Sequence, residues 1–365
     1  MVLEGRWNWF SISYTVPISD VYKYPDETWN RRGLSMNKGI SLDMIHNLVL
    51  PNATGDWYWE HISKYIEISD VYKYPYEKWD KVFLSCNKGI TIDLIHNLSL
   101  PNATRDWNWA SISEDIDISE VYNYPYETWD KKKLSQNKGI TIDLIHNLSL
   151  PHTTGDWDWF YISQYIAISE VCNHPDETWD KSGLSENKGI TIDLIHDLVL
   201  PNATGDWKWL DISINTSISE VYKYPDEKWN RWGLSWNKSI TIDIVLSNTT
   251  RYWNWYPISE NVAISEVYKY PDETWDRYGL SKNDNINIDL IRRIVLPKAT
   301  GYWDWYYISM NIPIIDAYRY PDEPWNREGL SSNKDLTIDD IYILDKKMRC
   351  DYRRYTISFS DIVIV

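Results

Sequence analysis

Aromatic and apolar positions return along the chain at one long interval. Tryptophans stand at 9, 59, 109, 159 and 209, in steps of 50, and resume at 255 and 305. A second series occupies 29, 79, 129, 179, 229, 275 and 325. Self-similarity at a fixed period marks a tandem-repeat architecture, and seven repeats cover nearly the whole chain. One interval is short. Between Asp243 and Trp255, the Leu-Pro-Asn-Ala-Thr-Gly-Asp-Trp of other repeats becomes Leu246-Ser247-Asn248-Thr249-Thr250-Arg251-Tyr252-Trp253, and its proline is lost.

Each repeat is itself two related halves. One reads W-x-W-x-x-I-S followed by I-S-E-V-Y-K-Y-P; the other reads W-D-x-x-G-L-S-x-N followed by I-T-I-D-L-I-H-N-L-x-L-P. Ser35 follows Ser13 by 22 residues and Ser63 follows Ser35 by 28, so the underlying unit is about 25 residues.

Local signals favour short helices. Thr91 is a plausible N-cap, with Asp93 behind it where a carboxylate meets exposed amides. Ile92, Ile95 and Leu98 recur at a spacing that predicts one shared face. Ser119 reads as a cap entering a helix that Pro125 limits. Asp56 or Asp156 would cap an aromatic helix beginning at Trp57 or Trp157, and Asn137 with Gly139 suits a left-handed turn. Alternation of Ile140, Ile142 and Leu144 supports the competing β-solenoid. The regular Ser/Thr caps favour helices, which at this length depend on burial against the next unit.

The expected fold is therefore all-α: an elongated α-solenoid of short antiparallel helical hairpins, two hairpins per repeat. Residues 1–345 would form a single repeat domain of seven double units, with Trp59 and Trp79 buried between units. Residues 346–365 would form a C-terminal capping segment. Whether Thr356 to Val365 is a strand or an apolar helix stays open.

Composition narrows the function. There are 23 Trp and 28 Tyr against 4 Phe, in a chain of mean hydropathy −0.50. Large aromatics with a polar handle suit half-buried sites, so many shallow packing sites are expected. A formal net charge of −16 repels phosphate backbones and suits a basic partner. The opening MVLEGRWNWF has no basic segment leading into an apolar run, and no run is long enough for a membrane helix. Cys86, Cys172 and Cys350 form no framework of disulfides, which fits a reducing compartment.

Trp157-Asp158-Trp159 with Ile162-Ser163, Trp303-Asp304-Trp305 with Ile308-Ser309, and Leu184-Ser185 with Asn187 and Ile190-Thr191 resemble another set of repeats. These are the tryptophan-rich tandem repeats of proteins encoded by giant DNA viruses, a family of unknown function. The resemblance spans about Trp7 to Asp345. It departs at Asn37-Lys38-Gly39, where family units often read N-P-N. It implies a viral setting, in host cytoplasm or virion, and carries no site.

Candidate chemistry is sparse. His46, His96, His146 and His196 recur three residues after an Asp, but the equivalent later positions are Leu246, Arg292 and Tyr342. A surface or capping role is expected rather than a metal. Asn-x-Ser/Thr triplets such as Asn52-Ala53-Thr54 read as turn chemistry. Phosphate-binding loops and catalytic motifs are not found. No catalytic, cofactor or metal site is expected, and the protein is read as no enzyme.

A binding surface is expected instead where Tyr24, Tyr74, Tyr124, Tyr224 and Tyr270 run beside the acidic pairs Asp26-Glu27 and Asp226-Glu227. One member of each Tyr22/Tyr24-type pair would stay exposed, because i and i+2 do not share a helix face. The expected role is a scaffold for protein–protein interaction or a structural part. Self-association is one alternative. Another is nucleic-acid binding by tyrosine stacking and a C-terminal basic patch of Arg349, Arg353 and Arg354, against which the net charge weighs.

Overall fold

The structure, a computed structural model, describes residues 7–247 and 253–357, with side chains as far as residue 347. Each repeat forms four short helices. In the first they are Trp9–Thr15, Ile18–Lys23, Arg31–Leu34 and Leu42–Asn47. The fourth helix of the last repeat is longer and runs Ile338–Ile357. Among the described residues, β pairing is confined to isolated parallel bridges such as Asn30 with Thr54. The chain is all-α, built of stacked short antiparallel helix pairs of the α-solenoid kind, and the β-solenoid alternative falls. Repeat one with repeats six and seven makes one compact unit; repeats two to five make another.

Helix boundaries follow from who caps them. The first helix begins at Trp159, and the Asp158 carboxylate accepts from the Phe160 amide. Asn8, Asn108 and Asp304 do the same elsewhere. The start expected at Trp57 or Trp157 is thus corrected by two residues: the cap lies between the two tryptophans. Thr91 does cap Ile92–Asn97, accepting from Leu94. Six residues give too few turns for an Ile92/Ile95/Leu98 stripe, and Ile92 with Leu94 is the buried pair. Ser119 lies inside its helix, which Asp117 caps. Left-handed backbone does not occur at Asn137 or Gly139. Among the described residues it occurs at Gly55, Gly155, Gly205, Gly301 and Arg105.

The core is a repeated set of tryptophan pairs. Trp79 is fully buried, whereas Trp59 is only half-buried. Their rings meet edge to face at 5.5 Å and 89°, the arrangement that sets a positive ring edge against a negative face. All seven repeats carry this pair, at 5.2–5.7 Å. The indole N–H still needs a partner once buried. In Trp79 it donates to the Tyr74 carbonyl at 2.9 Å.

Two buried polar residues join the helix pairs. Ser135 donates its hydroxyl to the Lys131 carbonyl and accepts the Asp158 amide, at 2.8 and 3.0 Å. A hydroxyl can do both at once. The pattern steps along the chain: Ser13 accepts from Asn30, Ser35 from Tyr58, Ser63 from Asp80 and Ser85 from Asn108. Asn137 spans the two halves of its repeat. Its amide donates to the Ser113 and Ile116 carbonyls, and its oxygen accepts from Gly139. This explains the Ser and Asn of the repeat signature better than a turn does.

The first and last repeats, which belong to the same compact unit, lie against each other. Asn8 donates its amide to Ser331 at 3.0 Å, the next step in the serine series. Ile338 donates its amide to Asp20, as Ile92 does to Glu120 and Ile142 to Glu170. Trp7 donates to Asp345 at 2.9 Å. Repeat one thus packs on repeat seven through the bonds that join consecutive repeats. Cys350, Arg349, Arg353, Arg354 and the stretch 358–365 fall outside the described side chains or residues, as do Asn248 to Tyr252.

Candidate binding surface at the repeat junctions

The end of the second helix places the candidate residues. In repeat three, Ile118–Asn123 is followed by Tyr124, whose carbonyl accepts from Trp129. Its hydroxyl points back to the preceding repeat and donates to Asp93 at 2.7 Å, and that acceptor raises the Tyr124 pKa. Tyr224 does the same with Asp193, joined there by Lys223. Tyr24 and Lys23 bond Asp339 across the meeting of repeats one and seven. Hydrogen bonds from lysine and tyrosine hold both Asp193 and Asp339 below the usual carboxylate range. Lys23, Lys73, Lys223 and Lys269 also lie over the neighbouring tyrosine ring at 4.6–5.0 Å.

The Tyr24 series is therefore half-buried, and Tyr24, Tyr124 and Tyr224 are engaged in holding repeats together. The exposed member of each pair is the other one: Tyr22, Tyr72, Tyr122, Tyr222 and Tyr268. Within the acidic pair the two residues also divide. The glutamates face the junction, where Glu127 meets His96 at 3.1 Å, Glu177 meets His146 at 3.4 Å and Glu227 meets His196 at 2.7 Å. Arg292 takes the histidine's place against Glu323 at 3.0 Å, and Tyr342 donates to Glu27. Asp26 and Asp226 stay exposed, and Tyr76 and Tyr126 take the same position in repeats two and three. Spacing alone marked these residues as repeated. Their division into joined and exposed members needed the partner 31 residues away.

His96, His146 and His196 thus pair with glutamates of the following repeat rather than with one another. Among the described residues no group of three or more His, Cys, Asp or Glu could hold a metal ion. Nor is any helix among them long and apolar enough to cross a membrane.

A different feature lies at the short interval, where the broken symmetry of residues 246–253 already pointed to a cleft. A cavity of about 570 Å³ opens beside Trp229, lined by Val221, Pro225, Arg231, Leu234 and Ile244 among others. Trp229 itself is half-buried, whereas its counterparts Trp29, Trp79, Trp129, Trp179 and Trp275 are fully buried.

Neither protein-family profiles, nor curated proteins, nor solved structures give a match to this chain.

Proposed function

We propose that this chain is a non-enzymatic repeat scaffold that binds a protein partner of basic character, in the viral setting its repeats resemble. The carrying observation is which repeated aromatic and acidic side chains face solvent. The buried Ser, Asn and Trp groups and the junction Tyr, Glu and His are engaged within or between repeats. The Tyr22-series rings and the Asp26 and Asp226 side chains face solvent, even though the Tyr122, Tyr222 and Tyr268 hydroxyls bond within their own repeats. Near-equivalent exposed aromatic and acidic groups suit multivalent recognition; catalysis needs distinct groups converging on one point. The net charge of −16 favours a basic partner over nucleic acid. Lysines over the Tyr24-series rings further disfavour base stacking there.

Affinity capture from infected cells at moderate salt tests this reading, using wild type and a Tyr22→Ser, Tyr72→Ser, Tyr122→Ser variant. A stoichiometric protein partner that the variant loses is expected. Recovery of nucleic acid without such a partner, with steep salt dependence, would replace this reading by the nucleic-acid one.

A further inference from the structure

Repeat four breaks the series at the end of its second helix. That helix closes on Lys23, Lys73, Lys223, Lys269 or Arg319 in five repeats, and on Asn123 and Asn173 in the third and fourth. The next residue is tyrosine in every repeat except the fourth, which has His174. The fourth helices of repeats three and four, Ile142–Asn147 and Ile192–Asp197, add no cation beyond histidine. Neither repeat therefore carries a lysine or arginine on these two helices.

The missing pair has a defined task elsewhere. Lys223 and Tyr224 hold Asp193 of the preceding repeat, the ammonium lying 3.0 Å from one carboxylate oxygen and 2.7 Å from the other. Lys23 and Tyr24 hold Asp339 in the same way. Asp143 is the equivalent residue facing repeat four, and it has no such pair. His174 turns instead to Glu170 of its own helix, at 4.0 Å. Asp143 stays exposed, and among the described residues its hydrogen bonds come from its own repeat. The Tyr122 hydroxyl donates to one oxygen at 3.3 Å and the Asn147 amide to the other at 2.7 Å. Each carboxylate oxygen has a second lone pair, so an ammonium is accommodated beside both donors.

We infer that the junction of repeats three and four is the docking site for a lysine side chain of the basic partner, which takes Asp143 as Lys223 takes Asp193. The charge fits. Asp143, Glu170, Asp176 and Glu177 stand on the elements that meet there, with His146 and His174 as their nearest basic groups. All of these residues lie in one compact unit. An ammonium brought to Asp143 also lies beside the Tyr122 ring, which is 38% exposed, and the negative face of that ring attracts it further. The chain combines the same two contacts at Tyr24 and Tyr224, whose neighbouring lysines lie over the ring at 4.8 and 4.9 Å while they hold the aspartate. This assignment rests on the protein-binding reading above and narrows it to one junction and one kind of side chain.

The probe is fluorescently labelled octalysine, titrated with the full chain and followed by anisotropy. Asp143→Asn removes the acceptor. Asn173→Lys with His174→Tyr gives repeat four the pair of repeat five, which then takes Asp143 from within the chain. Asp156→Asn is the control: it changes the net charge by the same amount, on the exposed loop before the first helix. Helical circular dichroism shows that each variant folds. Asp156→Asn should bind nearly as wild type does, and the other two about threefold more weakly than it, the size of one exposed lysine–carboxylate pair. A carbodiimide cross-link of bound octalysine, read by peptide mass spectrometry, should fall on Asp143 and vanish in the Asn173→Lys, His174→Tyr variant. Equal binding by all the variants, or cross-links on other carboxylates with none on Asp143, would overturn the site. So would a partner captured from infected cells that needs Tyr22, Tyr72 and Tyr122 but not Asp143; that result would leave the scaffold reading intact.

Discussion

The amide of Asn8 lies 3.0 Å from the hydroxyl of Ser331, a bond between residues 323 positions apart. It has the geometry of the bond from Asp158 to Ser135, between residues 23 positions apart. Both serines are fully buried. Replacing either by alanine strands a buried amide, which costs about 1–3 kcal/mol. We therefore expect Ser331→Ala and Ser135→Ala to lower stability by similar amounts in chemical denaturation. A silent Ser331→Ala beside a costly Ser135→Ala would show that the first and last repeats do not share the ordinary junction.

Asn137 should be harder to replace than any surface residue of the repeat. Leucine at this position leaves the Ser113 and Ile116 carbonyls and the Gly139 amide without their partner. Three orphaned groups, relieved in part by rearrangement, make a loss of about 3 kcal/mol the expectation. Asn137→Leu as stable as wild type would contradict the bridging role.

The left-handed turn offers a cleaner measurement. Gly55 has φ +73°, and a Cβ built on it meets nothing within 4 Å. The cost of Gly55→Ala is then backbone strain alone, about 1 kcal/mol. Hydrogen exchange at the Thr54 and Arg31 amides should rise by the matching factor. An unchanged rate would mean that the turn is not held in this conformation.

Acid should act on the junctions through Asp193 and Asp339. Lysine and tyrosine partners hold both carboxylates below their ordinary 3.8. A depressed folded pKa contributes stability that is complete above the unfolded value and is lost as pH falls through the folded one. Wild type should lose more thermal stability between about pH 5 and about pH 3 than the Asp193→Asn, Asp339→Asn variant. Asp316 and Asp340 act in the opposite sense, because burial raises them; they are common to both proteins and cancel in the comparison. Identical slopes would remove these two pairs from the account.

Much of the architecture is legible in the sequence because it repeats. The tryptophan interval shows the repeat, and Thr91 with Asp93 marks a helix start that the structure keeps. Trp157 misleads because it is as aromatic as Trp159; only the capping side chain between them, Asp158, separates loop from helix. Ser135 and Asn137 look like turn residues, since their partners lie 23 and 24 positions away and leave no local trace. The meeting of the ends left a signal that local reading passes over. Ser331, Ile338 and Asp339 present what the next repeat uses, and Asn8, Asp20 and Tyr24 present what the previous one uses. A free end needs neither set. The division of Tyr22 from Tyr24 was half legible: helix geometry predicts that one is exposed, but which one depends on Asp93 and its equivalents in the neighbouring repeat.

The most direct measurement is a zero-length carbodiimide cross-link on dilute monomer, read by peptide mass spectrometry. Lys223 and Asp193 lie 2.7 Å apart across an ordinary junction, and Lys23 and Asp339 lie 2.7 Å apart across the meeting of the first and last repeats. The account predicts both amide-linked peptide pairs, in comparable yield and independent of protein concentration. A Lys223–Asp193 link without the Lys23–Asp339 link would contradict it, and would leave the terminal repeats as separate ends.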